Sequence, residues 1–194
     1  PDKFPSGKDT SLDGMETFGK ELIDGTIDFC PIYKPNFAFF ERFGSKGYAL
    51  LERLVDHING RAIVIADAKR GDIGNTSRQY AKAILETMGC DAITISPYMG
   101  REAIEPFIEN KEKGAFILAI TSNPGAHELQ FHGKGVDFLY KKVVKIASEL
   151  NEADNIGLVV GATQTEIMQD VREQSKGIPW LIPGVGIQGG DLEA

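Results

Sequence analysis

A chain of 194 residues is long enough to bury a substantial core within one domain. Its 42% hydrophobic and 25% charged residues are ordinary globular composition. The formal net charge of -7 argues against a nucleic-acid-binding surface, while leaving room for a local basic pocket that holds a small anion.

In chain order, short apolar runs rich in β-formers alternate with stretches of helical period, the pattern of a parallel sheet with crossover helices. A helix is expected over 11–22 and a strand over 27–33, which ends at the corner Lys34-Pro35-Asn36. A helix over 37–58 then leads to a strand over 62–67 and a charged run through Asp72. Next come a helix over 76–88, a strand over 92–96 and the loop Pro97-Tyr98-Met99-Gly100. A helix over 101–110 and a strand over 115–121 follow, closed by Ser122-Asn123-Pro124-Gly125. The last pairs are a helix over 136–152 with a strand over 156–162, and a helix over 165–174 with a strand over 180–183.

Polar or glycine-bearing residues stand after all six strands. An open doubly wound sheet needs such loops only at its switch point, whereas a (β/α)8 barrel builds its active site from all of them. The expected class is therefore α/β, a (β/α)8 TIM barrel with six of its eight strands identifiable. No linker or low-complexity stretch divides the chain, so residues 1–194 are expected to form a single domain. The chain opens in loop-like sequence and stops at Asp191-Leu192-Glu193-Ala194, so the first and last strands are expected to be missing. Two unpaired sheet edges would then favour aggregation, and low activity of this chain alone is expected.

Cys30 and Cys90 have neither CxxC spacing nor a Cys/His cluster, which argues against a zinc site or disulfide framework and for reduced, buried thiols. No signal-peptide pattern or membrane-length apolar stretch is present, so a soluble, cytoplasmic protein without nucleic-acid or membrane partners is expected. His57 and His132 read as solvated or core histidines, His127 as part of a loop, and Tyr98 and Met99 as core or wall.

The run Asp67-Ala68-Lys69-Arg70-Gly71-Asp72-Ile73 carries the most chemical information. It follows Ala62-Ile63-Val64-Ile65-Ala66, an apolar strand, so Asp67 is expected as the last strand residue and Lys69 as the first of the loop. While the chain stays extended, residues two apart share a face. Gly71 would make a turn and Asp72 open a helix. A surface salt bridge with a helix cap leaves this density of charge at a strand's carboxyl end unexplained. Lys34, after the preceding strand, would join Asp67, Lys69 and Asp72 in one pocket of alternating charge. Flanking carboxylates favour the ammonium form of Lys69, making it a proton donor rather than a Schiff-base nucleophile.

These residues resemble the orotidine 5'-phosphate decarboxylase family, in its longer bacterial branch (type 2). The resemblance rests on Tyr33-Lys34-Pro35-Asn36-Phe37-Ala38-Phe39-Phe40-Glu41, on Asp67 through Thr76, on Thr121-Ser122-Asn123-Pro124-Gly125-Ala126, and on Pro183-Gly184-Val185-Gly186-Ile187-Gln188-Gly189-Gly190, in order and spacing. It implies decarboxylation of orotidine 5'-phosphate to uridine 5'-monophosphate, without metal or organic cofactor, by a homodimer with shared sites. It also implies that Lys34 contacts the ribose and Asp67, and that Lys69 protonates C6 of the pyrimidine. Asp72, Ile73 and Thr76 would reach the neighbouring subunit's site, Ser122 the pyrimidine edge, and Gln188 both base and phosphate, with Pro183 also binding substrate. The family's ribose-binding aspartate on the first strand and phosphate-gripping arginine after the eighth have no counterpart here, and Asp2 is not that aspartate. Two alternatives are a magnesium-dependent sugar-phosphate decarboxylase or synthase of the same superfamily, and an inactive fragment or pseudoenzyme that only associates with other chains. The Lys34-Pro35-Asn36 corner and the Ser122-Asn123-Pro124 loop speak against the magnesium enzyme.

Overall fold

The computed structural model describes residues 4–58, 60–186 and 189–190. Six strands follow chain order in the sheet, β1 Ile32–Tyr33, β2 Ile63–Arg70, β3 Ala92–Ile95, β4 Gly114–Ile120, β5 Ile156–Val160 and β6 Trp180–Leu181. The α-helices are α1 Leu12–Thr26, α2 Ala38–Glu41, α3 Ser45–Ile58, α4 Gly74–Ala81, α5 Arg101–Ile104, α6 Ala126–Leu129, α7 Leu139–Leu150 and α8 Thr165–Gln174. Strands and helices alternate as the apolar periodicity requires, in the α/β class of the TIM barrel, with six strands.

The chain divides into two compact units, residues 1–68 with 82–92, and residues 69–81 with 93–194. In the first, α1 starts at Ser11, whose hydroxyl accepts the Gly14 N–H at 3.1 Å and so satisfies one free donor of the first turn. Gly19 lets α1 lie close to α3, because a Cβ there would stand 2.8 Å from Leu54. Leu50, Leu51, Val55 and Ile58 line the buried face of α3. Two side-chain contacts fasten the helices at the rim, an ion pair of Glu16 with Arg53 at 2.7 Å and a hydrogen bond between Asp24 and His57 at 2.8 Å. His57 therefore has a carboxylate partner that its sequence surroundings did not signal.

In the second unit, β4 pairs in parallel with β5 from Ala115↔Ile156 to Ile120↔Val160, and β5 pairs with β6 at Leu158↔Trp180 and Val159↔Leu181. Every residue of β3 and β5 is buried, as an apolar run covered on both faces demands. The apolar side of α7, with Val143, Val144 and Ala147, packs on β4 and β5. At the β6 end, the Arg172 guanidinium stacks 3.6 Å from the centre of the Trp180 ring.

Several expectations need correction. Residues 27–30 are not strand: helical bonding runs on, with Ile27 N–H donating to Ile23 and Cys30 N–H to Thr26, so β1 holds only Ile32 and Tyr33. Cys30 is exposed rather than buried, whereas Cys90 is buried. The helix expected over 37–58 is broken between α2 and α3, where Gly44 has φ +62° and a Cβ at Gly47 would meet the Phe40 carbonyl. The helix expected over 76–88 begins at Gly74 and widens into a π-helix over Lys82–Thr87. The helix over 101–110 is α5 followed by a short 3-10 helix, Glu105–Phe107, that starts with Pro106 in its first turn.

Candidate functional site

In the first unit, Lys34 and Asp67 form a close ion pair, Nζ to Oδ2 at 2.8 Å. The backbone sets this contact. Asp67 N–H donates to the Pro35 carbonyl at 3.0 Å, and Phe37 N–H donates to the Asp67 carbonyl at 3.2 Å, so the Lys34-Pro35-Asn36 corner continues the pairing of β1 with β2. Phe37, 1% exposed, anchors the corner in the core. The Asp67 residue is only 9% exposed, and the lysine ammonium offsets the cost of burying its carboxylate.

Strand β2 does not end at Asp67 but runs on to Arg70. Lys69 is thus inside the strand's span rather than first in the loop, yet its backbone has φ 47°, in the left-handed region. The extended backbone that would carry Asp67 and Lys69 on one face is interrupted at Lys69 itself: Asp67 is buried and Lys69 exposed. In the second unit, Lys69 N–H donates to Thr94 Oγ1 at 3.0 Å, and Ser96 N–H donates to the Arg70 carbonyl at 2.7 Å. Gly71 lies so close to β3 that a Cβ would stand 2.9 Å from the Ser96 carbonyl.

Asp72 precedes α4 by two residues. Its carboxylate accepts the Ile73 N–H at 2.8 Å, and its carbonyl accepts the hydroxyl of buried Ser77 at 2.7 Å. Ile73, 51% exposed, and Thr76 turn to the surface. The ends of β4, β5 and β6 are stitched together: Gly161 N–H donates to Ile120, the Thr163 hydroxyl to the Ser122 carbonyl at 3.1 Å, and Ala162 N–H to the Pro183 carbonyl at 2.8 Å. A Cβ at Gly161 would meet the Ser122 backbone, which makes glycine necessary there. Gln188 lies outside the described residues, as does Asp2.

Three further residues take part that sequence reasoning did not single out. Thr94, 1% exposed, is the polar member of the otherwise apolar β3, which was the available signal. Gln130 grips Thr121 twice, accepting its N–H at 2.8 Å and donating to its hydroxyl at 2.8 Å, while Gln164 donates to the Thr121 carbonyl at 3.1 Å. Both glutamines hold the residue next to Ser122. Nothing local in the sequence marks them, because each is recruited across a turn or from another helix.

Behind this loop Phe131, Phe138 and Tyr140 pack ring to ring, and His127 stacks on Phe131 at 4.4 Å between ring centres. The Tyr140 hydroxyl donates to Asp170 at 3.2 Å, and Lys141 pairs with the same carboxylate oxygen at 2.8 Å. Burial, with the adjacent Asp170 charge, pushes the Tyr140 phenol up to about 12. The Lys141 hydrogen bond holds the Asp170 carboxyl below its ordinary range. A raised folded-state value stabilises the fold below the phenol's unfolded value and is lost as pH rises through the folded one. A lowered carboxyl acts oppositely, stabilising above its unfolded value and losing that contribution as pH falls. Urea midpoints measured against pH should therefore decline between the unfolded phenol value, 10.0, and about 12 in the parent but less in Tyr140→Phe. Asp170→Asn should flatten the acid limb. Profiles parallel to the parent in both variants would refute this account.

Among the described residues, no group of three or more His, Cys, Asp or Glu side chains is placed to hold a metal ion. Among the described residues, no helix is long and apolar enough to cross a membrane.

A family model described as Orotidine 5'-phosphate decarboxylase / HUMPS family matches residues 11–194. The orotidine 5'-phosphate decarboxylase of Dehalococcoides mccartyi is 48% identical over 182 residues, which covers 91% of this chain and 67% of that protein. Among solved structures, Leishmania donovani UMP synthase matches with a TM-score of 0.91 at 38% identity, covering 96% of this chain and 42% of that one. Leishmania donovani OMP decarboxylase matches with a TM-score of 0.87 at 37% identity, covering 91% of this chain and 71% of that one. The chain thus spans about two thirds of the bacterial relative and less than half of the UMP synthase.

Proposed function

The chain belongs to the orotidine 5'-phosphate decarboxylase / HUMPS family, and from that membership we infer that it converts orotidine 5'-phosphate to uridine 5'-monophosphate and carbon dioxide, a carboxy-lyase step of pyrimidine biosynthesis. The observation that carries the reading to particular atoms is the run from Asp67 to Asp72 at the end of β2, with Asp67 buried and ion-paired to Lys34.

In this reading the bond from C6 to the carboxylate breaks, its electron pair remains on C6, and carbon dioxide departs. The Lys69 ammonium stabilises the charge developing on C6 and then delivers a proton from Nζ to that carbon. Asp67 disfavours the ground state by like-charge repulsion with the substrate carboxylate. Lys34 holds Asp67 and meets the ribose. Ser122 faces the pyrimidine edge, Pro183 lines the substrate, and Gln188 spans base and phosphate. Every group in this scheme is a side chain of the protein, and no cofactor enters it.

The active unit in this reading is a homodimer, with Asp72, Ile73 and Thr76 completing the partner's site. Ile73, exposed just before α4, is among the residues that this reading places against the partner's site. A charged nucleotide substrate that does not cross membranes unaided supports a cytoplasmic setting.

The relatives described above carry the decarboxylase reading and not the magnesium-dependent one. The test is turnover of orotidine 5'-phosphate with added magnesium and with a chelator. Equal rates in both are expected, with uridine 5'-monophosphate and carbon dioxide formed in equal amounts. A magnesium requirement would favour the sugar-phosphate alternative, and absence of turnover in a folded protein would favour the pseudoenzyme.

A further inference from the structure

Lys69 and Asp154 are the residues other than glycine with positive φ among those described, at 47° and 55°. A side chain with a Cβ meets steric resistance in that region, and the conformation persists only where its surroundings over-determine it. At Lys69 the surroundings are β3 and Ser96, the residue that follows it. Two grips on this segment are made by Ser96, which donates its N–H to the Arg70 carbonyl and crowds Gly71 with its own carbonyl. The third is the Thr94 hydroxyl, which accepts the Lys69 N–H at 3.0 Å.

Thr94 is 1% exposed, between Ile93 and Ile95, each at 0%. Valine would match its shape and fit a buried strand without placing a hydroxyl there. A threonine at this place makes sense if the oxygen is used. We propose that Thr94 is a positioning residue for the reaction: by accepting the Lys69 N–H it holds that backbone in the left-handed conformation and so sets where the ammonium is presented. The proposal rests on the reading of Lys69 as proton donor. A charge that acts by preorganisation is sensitive to displacement, and a 1 Å misplacement can cost on the order of a hundredfold.

The test compares Thr94→Val, which keeps the shape and loses the acceptor, with Thr94→Ser, which keeps the acceptor and loses a methyl. Two quantities are read. One is steady-state turnover of orotidine 5'-phosphate. The other is incorporation of solvent deuterium at C6 of uridine 5'-monophosphate, which by microscopic reversibility reports proton transfer at C6 without decarboxylation. Thr94→Val should lower kcat by roughly tenfold or more with KM within about twofold, and should slow deuterium incorporation by a similar factor. Thr94→Ser should restore both to within about threefold of the parent. Should Thr94→Val fail to fold, Thr94→Cys, with a poorer acceptor of similar size, carries the same expectation.

Unchanged kcat in the valine and cysteine variants would overturn the proposal, as would an equal loss in Thr94→Ser, which would point to packing alone. Failure of the underlying reading looks different: Lys69→Ala would then keep its turnover whatever Thr94 does.

Discussion

Lys69→Ala should lower kcat for orotidine 5'-phosphate by roughly ten-thousandfold or more, about 5.5 kcal/mol of transition-state stabilisation. Two contributions disappear together. General acid catalysis is typically worth about 10²–10⁴ in rate, and a fixed charge or donor aimed at developing anionic character about 10²–10³. Binding of uridine 5'-monophosphate should change by less than about tenfold, because both contributions arise in the transition state. The variant should also fold normally. Lys69 is exposed and has φ 47°, and alanine meets the same left-handed cost of roughly 1–2 kcal/mol that lysine already meets. Melting temperature, nucleotide affinity and turnover together check the expectation. Near-parent turnover would remove Lys69 from the donor role.

Mixing Asp72→Ala protein with Lys69→Ala protein, each inactive alone, should restore activity. In a two-fold dimer whose sites are each completed by the partner, a hybrid places both substitutions in one site and leaves the other intact. Equal mixing with free exchange makes about half of the dimers hybrid, each with one working site, so roughly a quarter of parental activity is expected. The local structure makes the result informative. Asp72 binds the Ile73 N–H and the Ser77 hydroxyl, so Asp72→Ala removes the carboxylate while the carbonyl that receives Ser77 remains. Subunit exchange is verified by mass, using an isotopically labelled partner. Exchange without recovered activity would sink the shared-site arrangement.

Legibility in the sequence followed the range of each interaction. The six strands were readable as short apolar runs because a buried parallel strand is apolar along its whole length, a local property. The pairing of Lys34 with Asp67 was readable too, since charges after successive strands meet when those strands are neighbours, and β1 pairs with β2. Element ends were read less well. Residues 27–30 have a strand-like composition, yet the carbonyls of Ile23 and Thr26 capture their N–H groups and extend the turn of α1. Lys69 follows an extended run, and its own φ could be settled only by the neighbour that holds it.

By itself the sequence determined the class of fold, the order of its elements and the identity of the charged groups at the strand ends. Periodicity and charge spacing are written residue by residue along the chain. Tertiary structure decided how those groups are held: the burial of Asp67 against Lys34, the left-handed backbone of Lys69 on Thr94, and the grip of Gln130 and Gln164 on the residue before Ser122. These depend on hydrogen bonds between residues 9 to 43 positions apart, whose partners exist only once the strands and helices have packed.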